Sequence, residues 1–532
     1  MSGRRALAPV VPLMGLVCLA GLATACGSAG TPPDGGSPGP ATTATTGAPS
    51  RTPAPPPSPT APPVPATYSD FDGDRVSDLV LTDPVATVDG VYSAGYAAVV
   101  PGSPDGLDTA RHQVITQNSL NLGKAGQGGA FGGTVRSADL DGDGRADLIT
   151  GAGTDTVFVV WGGEKGLAGG ARLAGSTPVT GDFDGDGYAD LVTAGRSPST
   201  ATLSYGPFSR AGVPAATVPL DLTPKDRGPD PDSGLGPDAA PGSGPDSEGY
   251  YTARLAAAGD VNGDGRDDLV VTWTHVFVDE MPVPRATAVH HGTARGAGGV
   301  SATYTRLKDA QGRNVYGADT LTADVDKDGA ADVIVGRSCE VIGEEQLADG
   351  GSRLTVVYGG RAGRDRAPKP TTIDDRTPGL PGAPVSTGCY FGAAATAGDV
   401  NGDGYADVAF TAPAKDGSAM ILVLRGGEKG LTGTGAQHLA GLPGTPRLAL
   451  LDTDGDGAAE LAIGAARGDF SGDPEVRVLR GGPDGLAGTE AGTGTGSGTG
   501  GAGADGRPRR IGPADLGLEP VAGDKFGWDF GH

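Results

Sequence analysis

At 532 residues the chain is longer than one ordinary domain needs, although a large all-β architecture can fill such a length as one unit. Its 96 glycines and 44 prolines, about a quarter of the sequence, put it at the edge of low-complexity composition. Asp and Glu number 64 against 40 Lys and Arg, and the net charge of −24 argues against nucleic acid or an anionic lipid surface as a partner, because both require clustered cations.

The chain opens with Arg4 and Arg5, followed by an apolar run from Ala6 to Ala25 that Pro9 and Pro12 interrupt. A basic start, a short apolar stretch and small residues at its end predict an export signal over 1–25 rather than a spanning helix. The paired arginines also admit the twin-arginine route. The run closes with Leu22-Ala23-Thr24-Ala25-Cys26, which resembles a bacterial lipobox. That resemblance implies cleavage before Cys26, its lipidation, and anchoring on the outer face of a bacterial cell membrane. Plain secretion with a coincidental cysteine is the alternative. No other segment approaches 18 consecutive apolar residues, so the lipid anchor is the only membrane attachment expected.

Residues 26–66 are nearly all Pro, Thr, Ala, Ser and Gly, a composition that buries no core and predicts a disordered tether. In polyproline conformation it reaches on the order of 120 Å. Two further tracts, about 224–248 and 487–506, read as disordered insertions within a folded domain over 67–532.

Within that domain one nine-residue phrase, Asp-x-Asp/Asn-x-Asp-Gly-x-x-Asp, recurs seven times. Its first, third, fifth and ninth positions are Asp70, Asp72, Asp74 and Asp78 in repeat one, and Asp139, Asp141, Asp143 and Asp147 in repeat two. Repeat three has Asp182, Asp184, Asp186 and Asp190; repeat four has Asp260, Asn262, Asp264 and Asp268. Then come Asp324, Asp326, Asp328 and Asp332; Asp399, Asn401, Asp403 and Asp407; and Asp452, Asp454, Asp456 and Glu460. These positions hold 26 of the 64 acids. A short β-branched or aliphatic run follows each phrase, and later a second run ends in glycines, as in 157–167, 421–431 and 476–486. Short strands with glycine turns and no helical periodicity predict an all-β repeat fold. Starts 43 to 78 residues apart suit four-stranded blades carrying loops of different length.

The chemistry of the phrase is oxygen geometry. Calcium takes six to eight oxygens, and alternate side chains of a tight loop can converge on one ion. Four carboxylates this close repel one another unless a cation lies among them. An EF-hand is excluded, because strands flank the loop and position twelve carries no glutamate (Thr150 and Val271, for example). Magnesium, which keeps more of its water, fits less well. Seven ion-free hairpin turns are the alternative.

Phe131-Gly132, Tyr316-Gly317 and Phe391-Gly392 each lie eight residues before their phrase, and Gly151-Ala152, Gly464-Ala465 and Thr411-Ala412-Pro413 follow theirs. With the acidic loop, these resemble the FG-GAP repeat of integrin alpha-subunit propellers and their bacterial relatives. The resemblance implies a seven-bladed β-propeller with Ca2+ at up to seven sites, each in the loop between the first two strands of a blade. Repeat one departs with Arg75 in place of glycine, repeat seven with Glu460, and repeats three and seven lack a clear Phe-Gly.

Phe526-Gly527 near the C-terminus has no acidic loop after it, and the loop at Asp70 has no Phe-Gly before it. The expectation is that the C-terminus supplies the missing start of blade one, beside residues 68–80, because unpaired first and last blades leave open edges. With Cys18 in the signal and Cys26 lipidated, Cys339 and Cys389 remain. In an exported protein they are expected to form a disulfide worth roughly 3–4 kcal/mol, two buried free thiols being the alternative.

No His-Glu-x-x-His or phosphate-cradling Gly-Lys-Ser/Thr occurs, and no Gly-x-Ser-x-Gly lies within the folded domain over 67–532. His290-His291 falls on a strand and reads as surface or turn-flanking; Trp161, Trp273 and Tyr358, near strand ends, read as core before ligand contacts. Seven equivalent acid clusters describe a scaffold rather than one active site. The resulting expectation is a monomeric, surface-tethered, calcium-binding module for an extracellular protein or glycan. The alternatives are an extracellular hydrolase or lyase acting on polysaccharide or phospholipid, and a purely structural envelope protein.

Overall fold

The structure is a computed structural model. It describes residues 69–530, apart from 121, 226–249, 277–282, 297, 318, 338–340, 343–344, 347–350, 362–368, 383, 385–390, 415–417, 443–444, 468–474, 489, 492–507 and 520–524. The expected signal, Cys26, the tether, most of both insertions, and Cys339 and Cys389 lie outside the described residues.

The described residues build seven antiparallel blade sheets, in each of which the strands pair in chain order, and a separate two-stranded hairpin, Val341–Ile342 with Glu345–Gln346, between the second and third strands of blade five. Blade two is typical: Thr134–Ala138, Asp147–Ala152, Thr156–Trp161 and Ala168–Ala174, in that order from one edge to the other. The second and third strands are apolar on both faces; all six residues of Asp147–Ala152 and of Thr156–Trp161 are buried. Strands buried on both sides read as continuous apolar runs, and here each sheet is covered by a neighbouring blade on either face.

The core is accordingly divided. Seven apolar clusters lie at the seven seams between blades, with none at a common centre. Phe71, Val80, Phe131 and Phe158 fill the seam of blades one and two, and Leu203, Leu269 and Trp273 that of three and four. Leu79, Leu81, Leu451 and Val476 join blade seven back to blade one. The first strands Thr134–Ala138, Ser176–Gly181, Tyr250–Gly259, Asp319–Ala323, Ala395–Gly398 and Thr445–Leu451 contact one another in succession and surround the axis. The protein is an all-β, seven-bladed propeller.

Blade one has three described strands, Leu79–Asp83, Tyr96–Val100 and Gln113–Ile115. Its missing start comes from the C-terminus. Trp528 N–H donates to Thr82 O at 3.0 Å and Asp529 N–H to Thr82 Oγ1 at 3.1 Å, while Lys525 N–H donates to Asp83 at 2.9 Å. Gly133 to Gly151 is the corresponding bond of blade two, and in blade six Gly392, one residue earlier, donates to the equivalent carbonyl of Thr411. Phe526 and Phe530 are fully buried at the seam of blades seven and one. The contact lies at Thr82 and Asp83, just past the 68–80 stretch expected, because the Phe-Gly turn pairs with the far end of the second strand.

Two expectations are corrected. The start of the 487–506 insertion is ordered: Glu490–Ala491 pairs with Gln437 and His438 as a fifth strand on the outer edge of blade six. His290 is not a surface residue. It is buried, packs against Trp273 and Tyr304, and its Nδ1 lies 2.9 Å from Ser301 O.

Candidate metal centres

Every acidic loop is folded by its own carboxylates. The first Asp accepts backbone N–H groups from the positions that follow: Asp139 takes those of Gly142, Asp143 and Gly144 at 2.7, 3.1 and 2.8 Å. The fifth-position acid accepts the N–H of position seven in all seven loops. Such side-chain-to-backbone bonds are what make Asp a turn residue.

The ninth acid does more. In each repeat one of its oxygens accepts the N–H of position two at 2.8–3.2 Å. The other accepts the N–H of the glycine that ends the third strand at 2.8–3.3 Å. This glycine has a steric reason: a Cβ on Gly162, Gly359 or Gly426 would run into the carbonyl of position eight. All seven ninth acids are buried. Burial pushes Asp147 and Asp190 up to about 8, Asp78, Asp332 and Glu460 to about 7, and Asp407 to about 6. A buried carboxylate accepting two N–H bonds yet still drawn toward its neutral form is one short of positive charge.

Loops also lock blade to blade. The carbonyls of positions one and two accept N–H groups from the next blade, as in Ala146 to Asp70, Gly163 to Phe71, Ala331 to Asp260 and Ala459 to Asp399. Ser77 to Asp452 and Ser103 to Thr453 close the series from blade seven to blade one. Arginines reinforce it from outside. Arg210 of blade three reaches Asp141 and Asp143 of blade two, both at 2.7 Å. Arg295 of blade four reaches Asp184 and Asp186 of blade three at 2.7 and 2.9 Å. Sequence reasoning passed over these arginines, since nothing in local spacing joins a residue to the loop of the preceding blade.

In five loops three carboxylates bring an oxygen each to within 4.8 Å of one another. They are Asp70, Asp72 and Asp74; Asp139, Asp141 and Asp147; Asp182, Asp184 and Asp190; Asp324, Asp326 and Asp332; and Asp452, Asp454 and Glu460. Oxygen-only donors at this spacing fit a hard divalent cation. Among the described residues, repeats four and six, with Asn262 and Asn401 at position three, form no such triple. In repeat four His291 Nδ1 lies 3.2 Å from Asp268 and 3.2 Å from Asn262. In repeat six Arg425 lies 3.4 Å from Asp407, and its charge lowers the proton affinity that burial imposes there. Trp161, Trp273 and Tyr358 are buried in the seams.

The FG-GAP repeat family matches residues 131–166, 174–198 and 391–436. Two curated relatives are similar: integrin alpha-4 of Xenopus laevis, 28% identical over 173 residues and 30% of this chain, and integrin alpha pat-2 of Caenorhabditis elegans, 28% identical over 247 residues and 41% of it. The matched regions span 16% and 18% of those proteins. Among solved structures, a Photorhabdus luminescens Tc holotoxin pore aligns with 70% of this chain and 16% of its own at 16% identity and TM-score 0.30. The rhamnogalacturonan lyase YesW aligns with 84% and 67% at 16% identity and TM-score 0.26. At these scores the likeness carries no functional inference. The chain is thus a seven-bladed propeller that carries FG-GAP repeats.

Proposed function

We propose that the chain is a calcium-stapled binding and scaffolding module on the outer face of a bacterial cell membrane. The observation that supports this best is repetition: all seven ninth acids make the same two bonds between loop and third strand. Groups used identically seven times hold a frame together. Calcium supplies the positive charge that the loops lack, coordinated by the first, third, fifth and ninth side chains of Asp70 to Asp78, Asp139 to Asp147, Asp182 to Asp190, Asp324 to Asp332 and Asp452 to Glu460. The ligand, an extracellular protein or glycan, is met by the inter-blade loops on the opposite face.

In this reading Cys26 carries the lipid and residues 26–66 hold the propeller away from the membrane as a monomer. Substituting Cys26→Ala should release the protein from cells to the medium, and retention of that variant in the membrane fraction contradicts the anchor. A screen of the calcium-loaded protein against glycans and extracellular proteins tests the module itself, with binding expected to be lost on chelation.

A further inference from the structure

The residue before the glycine that donates to the ninth acid differs from blade to blade: Pro101, Trp161, Tyr205, His291, Tyr358, Arg425 and Arg480. It stands at the end of the third strand, beside the acidic loop. In blade four alone it is a residue with a metal-ligating nitrogen.

His291 Nδ1 lies 3.2 Å from Asp268 Oδ2 and 3.2 Å from Asn262 Nδ2. The two contacts ask opposite things of one atom. An ionised Asp268 only accepts and needs a proton on Nδ1, whereas the Asn262 amide nitrogen only donates and needs a bare Nδ1. Asn262 Oδ1, meanwhile, is buried without a hydrogen-bond partner among the described residues. Half a turn of the amide exchanges its two ends and brings the orphaned oxygen to the ring. His291 Nδ1 then has an oxygen on either side. A proton on Nδ1 shared between them satisfies those atoms, but it adds no more than one positive charge to a loop that holds Asp260, Asp264 and Asp268 within nine residues. A divalent cation satisfies the donors and the charge together.

The donor set chooses the ion. Calcium takes oxygen ligands, and the five loops whose carboxylates converge offer oxygen. Imidazole nitrogen with carboxylate and amide oxygen suits a borderline first-row cation instead. Donors about 2.0–2.2 Å from a tetrahedral zinc stand ~3.3–3.6 Å apart, close to the two 3.2 Å contacts of His291. Asp268 is fully buried, and His291 is 39% exposed, so the ion enters from the His291 side. We propose that loop four is a separate site for a zinc-type divalent cation, held by His291 Nδ1, Asp268 and Asn262. This extends the reading of the loops as metal staples and rests on that reading for its place in the ring.

The test is a calorimetric titration of the full chain with zinc chloride in millimolar calcium, which occupies the oxygen-only loops. Saturable zinc binding is expected, of which one equivalent is lost in His291→Ala and weakened at least about tenfold in Asn262→Ala. His112→Ala, whose ring lies against Thr109 O away from the loops, should keep every equivalent. Cobalt(II) in place of zinc should give a ligand-field absorption that His291→Ala alters. Melting and calcium uptake of each variant are read without zinc, so that loss of a ligand is separated from loss of the fold. No zinc binding in the presence of calcium, or the same zinc equivalents in His291→Ala as in the parent, overturns the site. Calcium binding without zinc binding removes only this site. Zinc binding that depends on His291, in a protein that takes up no calcium, removes only the calcium staples.

Discussion

Arg75 stands where the six other loops carry glycine, and it adopts the same left-handed backbone, with φ +72° against +81° to +89° for those glycines. A residue with a Cβ is strained there by roughly 1–2 kcal/mol. The Arg75 side chain is exposed and contributes no ion pair among the described residues, so Arg75→Gly should stabilise the protein by about 1 kcal/mol in urea unfolding. Destabilisation contradicts this account of the loop. The ninth acids give a second expectation. Their folded values lie above the ordinary 3.8 of an unfolded Asp, reaching about 8 at Asp147 and Asp190. Stability from such groups is fully present below the unfolded value and is lost as pH rises through the folded one. Chelator-treated protein should therefore melt at a lower temperature at pH 8 than at pH 5. Calcium, which favours the ionised form, should diminish that difference and release protons on binding near neutral pH. An identical pH profile with and without calcium contradicts the assignment of these acids as ligands.

Among the strands, the glycine after each third strand was visible in sequence as the end of an apolar run, but its reason was not. It must admit the carbonyl of position eight while donating to the ninth acid, two contacts that only the closed hairpin brings together. Gly359→Ala places a Cβ against the carbonyls of Ala331 and Val261 and should cost about 2 kcal/mol or more, read as a shift in denaturation midpoint. A neutral result contradicts the close approach. Periodicity made the second and third strands and all seven loops legible, because apolar runs and acid spacing are local signals. Glu490–Ala491 was hidden, since two residues of a Gly/Thr tract become a strand only by meeting the outer edge of blade six. Burial of His290 was hidden too: Trp273, Tyr304 and Ser301 come together around it only in the folded sheet. Arg425 and His291, beside the two loops with asparagine at position three, likewise enter the candidate sites only once the third strand is paired.

The ring as a whole closes through residues from both ends of the domain, and every seam carries its own apolar cluster. Removing residues 525–532 takes away Phe526 and Phe530, each fully buried between blades seven and one. Truncating either to alanine should cost about 3–5 kcal/mol, and deleting both should lower the melting temperature more than any single loop substitution. Unchanged melting of the deletion contradicts closure by the C-terminus. The order of the seams was inferred from seven repeats, whereas their locking, through N–H groups of one blade on loop carbonyls of the one before, needed the structure. The account as a whole stands on the loops being metal staples, and the most direct test is a calorimetric titration of the chelator-stripped full chain with calcium, with melting followed in parallel. Extracellular modules bind calcium at about 10⁻⁴–10⁻³ M, so several sites filling in that range with a marked rise in melting temperature is the predicted result. No heat of binding and no change in melting would show that the carboxylates are turn-formers alone, and would contradict it.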